Sequence, residues 1–331
     1  MSPSTRDSLR PVLDALEVLS PTAFRLSGRV VERHPETADE AARAEAAGAV
    51  LVPLLQDALY AACYARPFGA PEPRPDADED LVPTLTAAHP GRDRWETGWR
   101  VKQALSTGRI VAERNGELRF LWPGEFVAPD GPGIQPRPGV RATLWRPRES
   151  ATLQPGFYYV FGEASGDEDA PLLRLYWNVR PEGAPALVRE VAGALNRWEL
   201  PFRFKCLSRR ALYPRVDAAV LYVARRFWPL VSELVAGVHR RVEDGLDDGT
   251  PLFALPVARG AALAEDPGNG DSFGRDRCRR VAEGVWEAWR AGAASTDARL
   301  DAVADAFRRG GLDLERPWLA AGSAAAYAEL A

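Results

Sequence analysis

Apolar residues recur at intervals of three and four through residues 8–19 and 36–64, among many Ala, Glu and Arg positions. This spacing predicts two helical stretches, the second broken near Pro53. Residues 22–31 read as a strand between them. Residues 69–80, rich in proline and acidic side chains, read as an exposed loop, and 96–105 as another helix. The period then shortens towards two. Residues 109–114 and 117–122 carry β-forming side chains on either side of Asn115-Gly116, a dipeptide suited to the positive φ of a tight hairpin turn. Residues 140–145, 156–162 and 172–179 continue the strand pattern, with polar turns such as 165–169 between them. A helix over 187–198 follows, then strands over 202–207 and 217–223, a helix over 227–242, a strand over 252–257, and helices over 272–291 and 296–309.

Strands gathered between helices, rather than alternating with them, predict an α+β fold: a central, largely antiparallel sheet with N-terminal and C-terminal helical layers. The expected organisation is a helical N-terminal region over 1–105 and an α+β region over 106–331, packed as one compact unit. With 46% hydrophobic and 27% charged residues, the 331-residue chain has the composition of an ordinary globular protein. Its apolar stretches are interrupted well before the roughly 20 residues that a membrane-spanning helix requires. Residues 1–10 lack a basic run leading into an apolar one, so the expectation is no secretory signal and a cytoplasmic location.

The net charge of −4 argues against a general nucleic-acid binder but leaves room for a local basic pocket. Cys63, Cys206 and Cys278 are too few and too widely spaced for a disulfide framework or a zinc site, and read as buried thiols. His34, His89 and His239 are isolated, so no metal centre is expected. The phosphate-binding glycine loop, the dinucleotide fingerprint, the nucleophile elbow and the zinc-protease motif are all absent. Lys102 and Lys205 are the only lysines among 42 basic residues. Unlike arginine, a lysine can lose its proton in a desolvated or cationic setting, so both are candidates for chemistry.

Several short motifs follow one another in order. Leu59-Tyr60 and Arg66-Pro67-Phe68 come first, then Gly156-Phe157-Tyr158-Tyr159-Val160-Phe161-Gly162 with Arg174-Leu175-Tyr176-Trp177-Asn178. Leu195-Asn196, Pro201-Phe202-Arg203-Phe204-Lys205, Tyr213-Pro214-Arg215 and Asp217 to Tyr222 continue the series. Gly260, Leu263-Ala264-Glu265-Asp266-Pro267 and Ser272-Phe273-Gly274-Arg275 close it. Together these segments resemble the HopA-type effector-like family, which includes bacterial type III effectors and relatives encoded with class V lanthipeptide and thioamitide peptides. The resemblance to the latter implies a lyase that eliminates phosphate from phosphoserine or phosphothreonine in a ribosomal precursor peptide, leaving a dehydroamino acid. A separate kinase-like protein would install the phosphate, and a leader-binding protein is a further partner. No cofactor is implied. Two alternatives remain: a module that binds phosphate or leader peptide without chemistry, and a host-directed effector.

Such an elimination needs a base for the α-proton, positive charge for the leaving phosphate and a donor for the enolate-like carbonyl. Lys205 is the candidate base, against the alternative of an edge-strand lysine in solvent. Arg203 shares its strand face, and Arg215 and Arg174 are candidate phosphate clamps unless they serve ordinary salt bridges or a solvated face. Tyr213 is the candidate donor, to the departing phosphate or to the carbonyl, and Tyr158 or Tyr176 could do likewise from adjacent strands, against the alternative that such strand tyrosines are packing residues with a hydrogen-bonded tip. Asn178 either orients the peptide backbone or ends a strand. Arg275 and Arg279 stand four apart after Ser272, either at an anion-attracting helix N-terminus or on a solvated basic face. Lys102 is a second cation for the site or a surface charge.

Overall fold

The computed structural model describes residues 4–70, 78–114, 116–128, 136–167, 169–213 and 215–330. Ser4 caps α1 (Thr5–Asp14) by accepting a hydrogen bond from the Asp7 amide. The chain then turns into a three-stranded meander, β1 (Leu16–Ser20), β2 (Ala23–Leu26) and β3 (Arg29–Glu32). The tail of the first expected helix is therefore β1. The single strand expected over 22–31 is two strands, folded at Ser27-Gly28, where both residues take positive φ. α2 (Ala38–Ala47) ends at Gly48, whose left-handed conformation redirects the chain into α3 (Leu51–Leu59) and a π-helical turn at Tyr60–Tyr64. The break expected near Pro53 falls at Gly48 instead. Pro53 stands in the first turn of α3, where its missing N–H has no partner to lose. α4 (Val82–Ala88) follows; residues 71–77 of the expected acidic loop lie outside the described residues.

A five-stranded sheet comes next, built from β4 (Arg94–Ala104), β5 (Ile110–Arg114), β6 (Glu117–Leu121), β7 (Phe126–Val127) and β8 (Arg141–Arg146) in the order β6-β5-β4-β8-β7. β4 corrects the helix expected over 96–105. Its inward positions include Glu96, Trp99 and Val101, and a register shift between Glu96 and Trp99, beside Gly98 at φ 85°, stretches the strand alternation into a spacing that imitates a helical turn. In the β5–β6 hairpin, Asn115 lies outside the described residues, and Gly116 takes a φ of 87°.

The central sheet is antiparallel throughout, as expected for the α+β reading. β9 (Glu149–Ser150), β10 (Phe157–Phe161), β11 (Leu172–Trp177), β12 (Phe202–Leu207), β13 (Ala219–Ala224), β14 (Leu255–Ala258) and β15 (Ala261–Glu265) lie in the order β14-β15-β11-β13-β12-β10-β9. One face, with Tyr158, Trp177, Phe204 and Leu221, is buried against α4, α5 (Ala184–Arg197) and α6 (Trp228–Val242). On the other, Tyr176, Val220, Ala262 and Ala264 pack beneath α3, α7 (Phe273–Arg290) and α8 (Thr296–Arg309). No residue of β10 or β12 joins this second core. One face is thus covered from edge to edge and the other only over β15, β11 and β13.

All three cysteines are buried, as the sequence suggested, and burial pushes the Cys63 thiol up to about 12. Among the described residues, no single helix is long and apolar enough to cross a membrane. α7 and α8 approach so closely at Gly284 that a Cβ there would stand 2.4 Å from the Val303 Cα. Gly284→Ala is therefore expected to force α8 outward and destabilise the protein by about 2–3 kcal/mol, read as a lower denaturant midpoint with little change in m-value.

Candidate active site

The uncovered half of the second face is cationic because of the alternation along β12. Phe202, Phe204 and Cys206 turn into the fully covered side, so Arg203 and Lys205 must point the other way. Register places Lys205 beside Tyr159 of β10 and Val220 of β13, and Arg203 beside Phe161 and Tyr222. Tyr222 is in turn level with Arg174 of β11. Its ring lies under two guanidinium groups, 5.3 Å from the Arg174 Cζ and 4.9 Å from that of Arg203.

The Lys205 Nζ lies 4.1 Å from the centre of the Phe157 ring and donates to the Gln154 Oε1 at 2.9 Å. The same oxygen accepts from the Tyr159 hydroxyl at 2.7 Å. Among the described residues no carboxylate pairs with Lys205 or with Arg203. Burial lowers the ammonium pKa to about 8; Asp217 pulls it upward, but Arg174, Arg215 and Arg203 push it further down. At neutral pH a usable fraction of this amine is an uncharged base.

Arg174 is nearly buried, held by Asp266 through Nε at 2.7 Å and by the Asp271 carbonyl at 3.2 Å. Arg215 forms a two-pronged pair with Asp217, both contacts at 2.8 Å. Its Nη2 also donates to the Tyr60 hydroxyl at 3.1 Å, and that hydroxyl donates to the Asp217 Oδ2 at 3.2 Å. Tyr60 arrives from the π-helical turn and closes one side of the site. Beneath them the Tyr176 hydroxyl is buried beside Tyr64 and Arg174 without a hydrogen bond of standard geometry.

The structure thus brings Lys205, Arg203, Arg174 and Arg215 together, and it places the other expected residues elsewhere. Tyr213 is on the opposite side of the sheet, where its hydroxyl donates to the Leu207 carbonyl at 2.8 Å and its ring fills the core beside Cys206. Pro214 of the same motif lies outside the described residues. Asn178 ends β11, donating to the Asp248 carbonyl at 2.6 Å. Lys102 sits on β4 of the other sheet, paired with Glu113 at 2.9 Å. Arg275 stands at the rim near Tyr60, engaged by Asp57 at 2.7 Å, and Arg279 pairs with Glu283. Asp217 is the salt-bridge partner that Arg215's sequence neighbourhood offers, and Tyr60, Gln154, Tyr222 and Asp266 complete the site without having been singled out. For Tyr222 the signal was available, since it lies two residues from Val220 on a strand flanked by two arginine-bearing strands.

The model of the HopA1 effector protein family matches residues 148–319, just over half of the chain and every strand from β9 to β15. Two solved structures align with half of the chain. The effector protein from Pseudomonas syringae pv. tomato strain DC3000 is 24% identical with a TM-score of 0.40, covering 50% of this chain and 62% of that one. The effector protein from Pseudomonas syringae pv. syringae strain 61 is 18% identical with a TM-score of 0.38, covering 50% and 63%. This chain therefore spans less than two thirds of the length of either effector. No curated protein matches it.

Proposed function

The chain belongs to the HopA1 effector protein family, and from that premise we propose that its cationic sheet face is the active site of a carbon–oxygen lyase for phosphoserine or phosphothreonine in peptides. The observation that carries the reading is Lys205: a largely buried amine with a lowered pKa and no carboxylate partner among the described residues, set among three arginines. A lysine held this way has little structural use, since its charge opposes its surroundings, but it suits a proton acceptor.

In the proposed reaction the uncharged Lys205 amine takes the substrate's α-proton. The electron pair of that C–H bond forms the Cα=Cβ double bond as the Cβ–O bond breaks, and phosphate leaves with the bonding pair. Arg203, with no carboxylate partner among the described residues, meets the phosphate oxygens, and Arg215, whose Nε and Nη2 are held by Asp217, adds its positive charge and its remaining Nη1 donors. Arg174, fixed by Asp266, offers positive charge to the carbonyl as it becomes enolate-like. The product is a dehydroamino acid and the proton leaves Lys205 to solvent. A ribosomal precursor peptide phosphorylated by a separate kinase-like protein and presented by a leader-binding one is the substrate this chemistry suits.

Incubating the purified chain with a synthetic phosphoserine peptide and following intact mass tests the reading. Loss of phosphoric acid supports it, whereas an unchanged phosphopeptide that nevertheless binds reassigns the face to recognition. Because only the uncharged amine accepts a proton, kcat/KM is expected to rise with pH and level off above about 8. A flat profile across that range excludes Lys205 as the base. The family's effector members favour a second reading, in which the same face acts on a host phosphopeptide; activity on phosphopeptides unrelated in sequence would point there.

A further inference from the structure

Gln154 reaches Lys205 because the chain between β9 and β10 is wound into a tight turn. The Ser150 hydroxyl oxygen accepts from the Thr152 amide at 3.3 Å and the Leu153 amide at 3.1 Å, and the Phe157 amide donates to the Gln154 carbonyl at 3.1 Å. Gly156 takes a φ of 81°, a conformation that side-chain-bearing residues rarely adopt, and its carbonyl accepts from the Ser208 amide just past β12 at 3.0 Å. The turn folds residue 154 back over the sheet, where its side chain meets Tyr159 and Lys205, partners in register on β10 and β12.

The chemistry of the amide fixes which way it faces. Lys205 only donates, so the atom opposite it must be the oxygen, and the Tyr159 hydroxyl uses that oxygen's second lone pair. With contacts at 2.9 and 2.7 Å, Oε1 cannot turn from the amine without breaking two hydrogen bonds. Around the Lys205 Nζ stand ring faces, with the centre of Phe157 at 4.1 Å, Tyr159 at 5.7 Å and Tyr222 at 5.9 Å. Such rings and an amide oxygen attract N–H bonds and not a lone pair. An uncharged amine has two N–H bonds and one lone pair. With an N–H held on Gln154 and the rings beside it, the lone pair is left for the substrate.

The titratable and charged groups facing this amine come from four strands and one approach to them. They are Arg203 of its own strand, Tyr159 of β10, Tyr222 of β13 and Arg174 of β11, with Arg215 and Asp217 ahead of β13 and Tyr60 bound to both. Gln154, the acceptor in hydrogen-bond contact with Nζ, is neutral. A carboxylate in its place would hold the ammonium charged, and an apolar side chain would leave it unaimed. We infer that Gln154 is the positioning residue for the base: it aims the Lys205 amine without adding a charge that would keep the proton there. This deepens the proposed lyase reading and rests on it for the catalytic half, but the effect on Lys205 can be read without turnover.

The chain has two lysines, Lys102 and Lys205, so protein labelled with carbon-13 at the lysine Cε gives two signals to titrate. The one missing from Lys205→Met belongs to the site. In Gln154→Glu the Lys205 midpoint is expected to move up by about one unit, and in Gln154→Leu to move down. The matched readout is kcat/KM against pH on a synthetic phosphoserine peptide. Gln154→Glu keeps an acceptor, so it should reach close to the wild-type plateau with its rise moved to higher pH, losing about tenfold at pH 7. Gln154→Leu should rise at lower pH but level off about tenfold below wild type, because an unaimed amine is the poorer base. A Leu variant with the wild-type plateau overturns the assignment. So do Glu and Leu variants slowed equally at every pH, which would make the turn a structural support. If the wild type eliminates phosphate from no phosphopeptide, the lyase reading fails and the midpoints alone decide: opposite shifts retain Gln154's hold on the amine, and unmoved midpoints overturn it.

Discussion

Lys205→Met is expected to lower phosphate elimination about a thousandfold and, at pH 7, to raise stability by about 2 kcal/mol. Both effects have one cause. The ammonium is held at a pKa of about 8 against an ordinary 10.5, chiefly by burial, so the folded protein carries this charge at a cost. A methionine keeps the aliphatic contacts with Phe157 and Tyr159 without the charge. The sign follows from proton linkage: between about 8 and 10.5 the unfolded chain binds more protons at this position, so wild-type stability gains as pH rises through that window and the penalty is full below it. The advantage of the variant should accordingly be largest at pH 7 and close by about pH 10.5. Thermal melts at both pH values, beside mass-spectrometric turnover, check the pair of effects. A variant both inactive and less stable would make Lys205 a structural support and remove the base from the mechanism.

Arg277→Ala is expected to cost about 3–5 kcal/mol and to lower the melting temperature by about 10 °C. Arg277 is 1% exposed. It donates from Nε to the Pro317 carbonyl at 2.7 Å and from Nη2 to the Leu319 carbonyl at 2.8 Å, and it pairs with the buried Asp276. Alanine would strand two carbonyls and leave Asp276, among the described residues, with Asn269 and a distant Arg280. The C-terminal segment would loosen first, because the stranded carbonyls belong to it; its remaining ties include Glu265, which accepts from the Ala320 amide, Ser323 and Tyr327, and the Leu330 amide's bond to the Val257 carbonyl. Hydrogen exchange should show early loss of protection over 314–330, and uniform loss across the molecule would refute that order.

Period two was easiest to read where each strand had one apolar face and one polar or aromatic face. β12 was expected over the residues it occupies, because Phe-Arg-Phe-Lys alternates cleanly, and the same alternation put Arg203 and Lys205 together. β4 was misread because a bulge imitated a helical interval, and β15 was not recognised as a strand because Ala261-Ala262-Leu263-Ala264 is buried on both faces and has no alternation to show. At the site, charge and residue type were legible, as was the pairing of Arg215 with Asp217 two residues on, and partners remote in sequence were not. Nothing local to Tyr213 says that its hydroxyl will find the Leu207 carbonyl, and nothing local to Arg215 says that Tyr60, 155 residues earlier, will share it. Such pairings depend on which strands become neighbours. Asp266 illustrates the point: it stood in a quoted motif, yet its role as the anchor of Arg174 follows only once β15 lies beside β11.

The π-helical turn carrying Tyr60 separates the limits of a family from the limits of a folding unit. The region that the family model matches begins at residue 148. The surface of β11, β13 and β15 on its second face is sealed by Leu51, Leu55, Leu59 and Tyr64 from the opening part of the chain, along with α7 and α8. A fragment cut at the family boundary would bare Tyr176, Val220 and Phe273 to water and would leave the Arg215 fork without its tyrosine brace. The matched sheet supplies the charges, but a remote stretch of sequence covers its core and braces one of them, so a fragment limited to the matched region is expected to lose both.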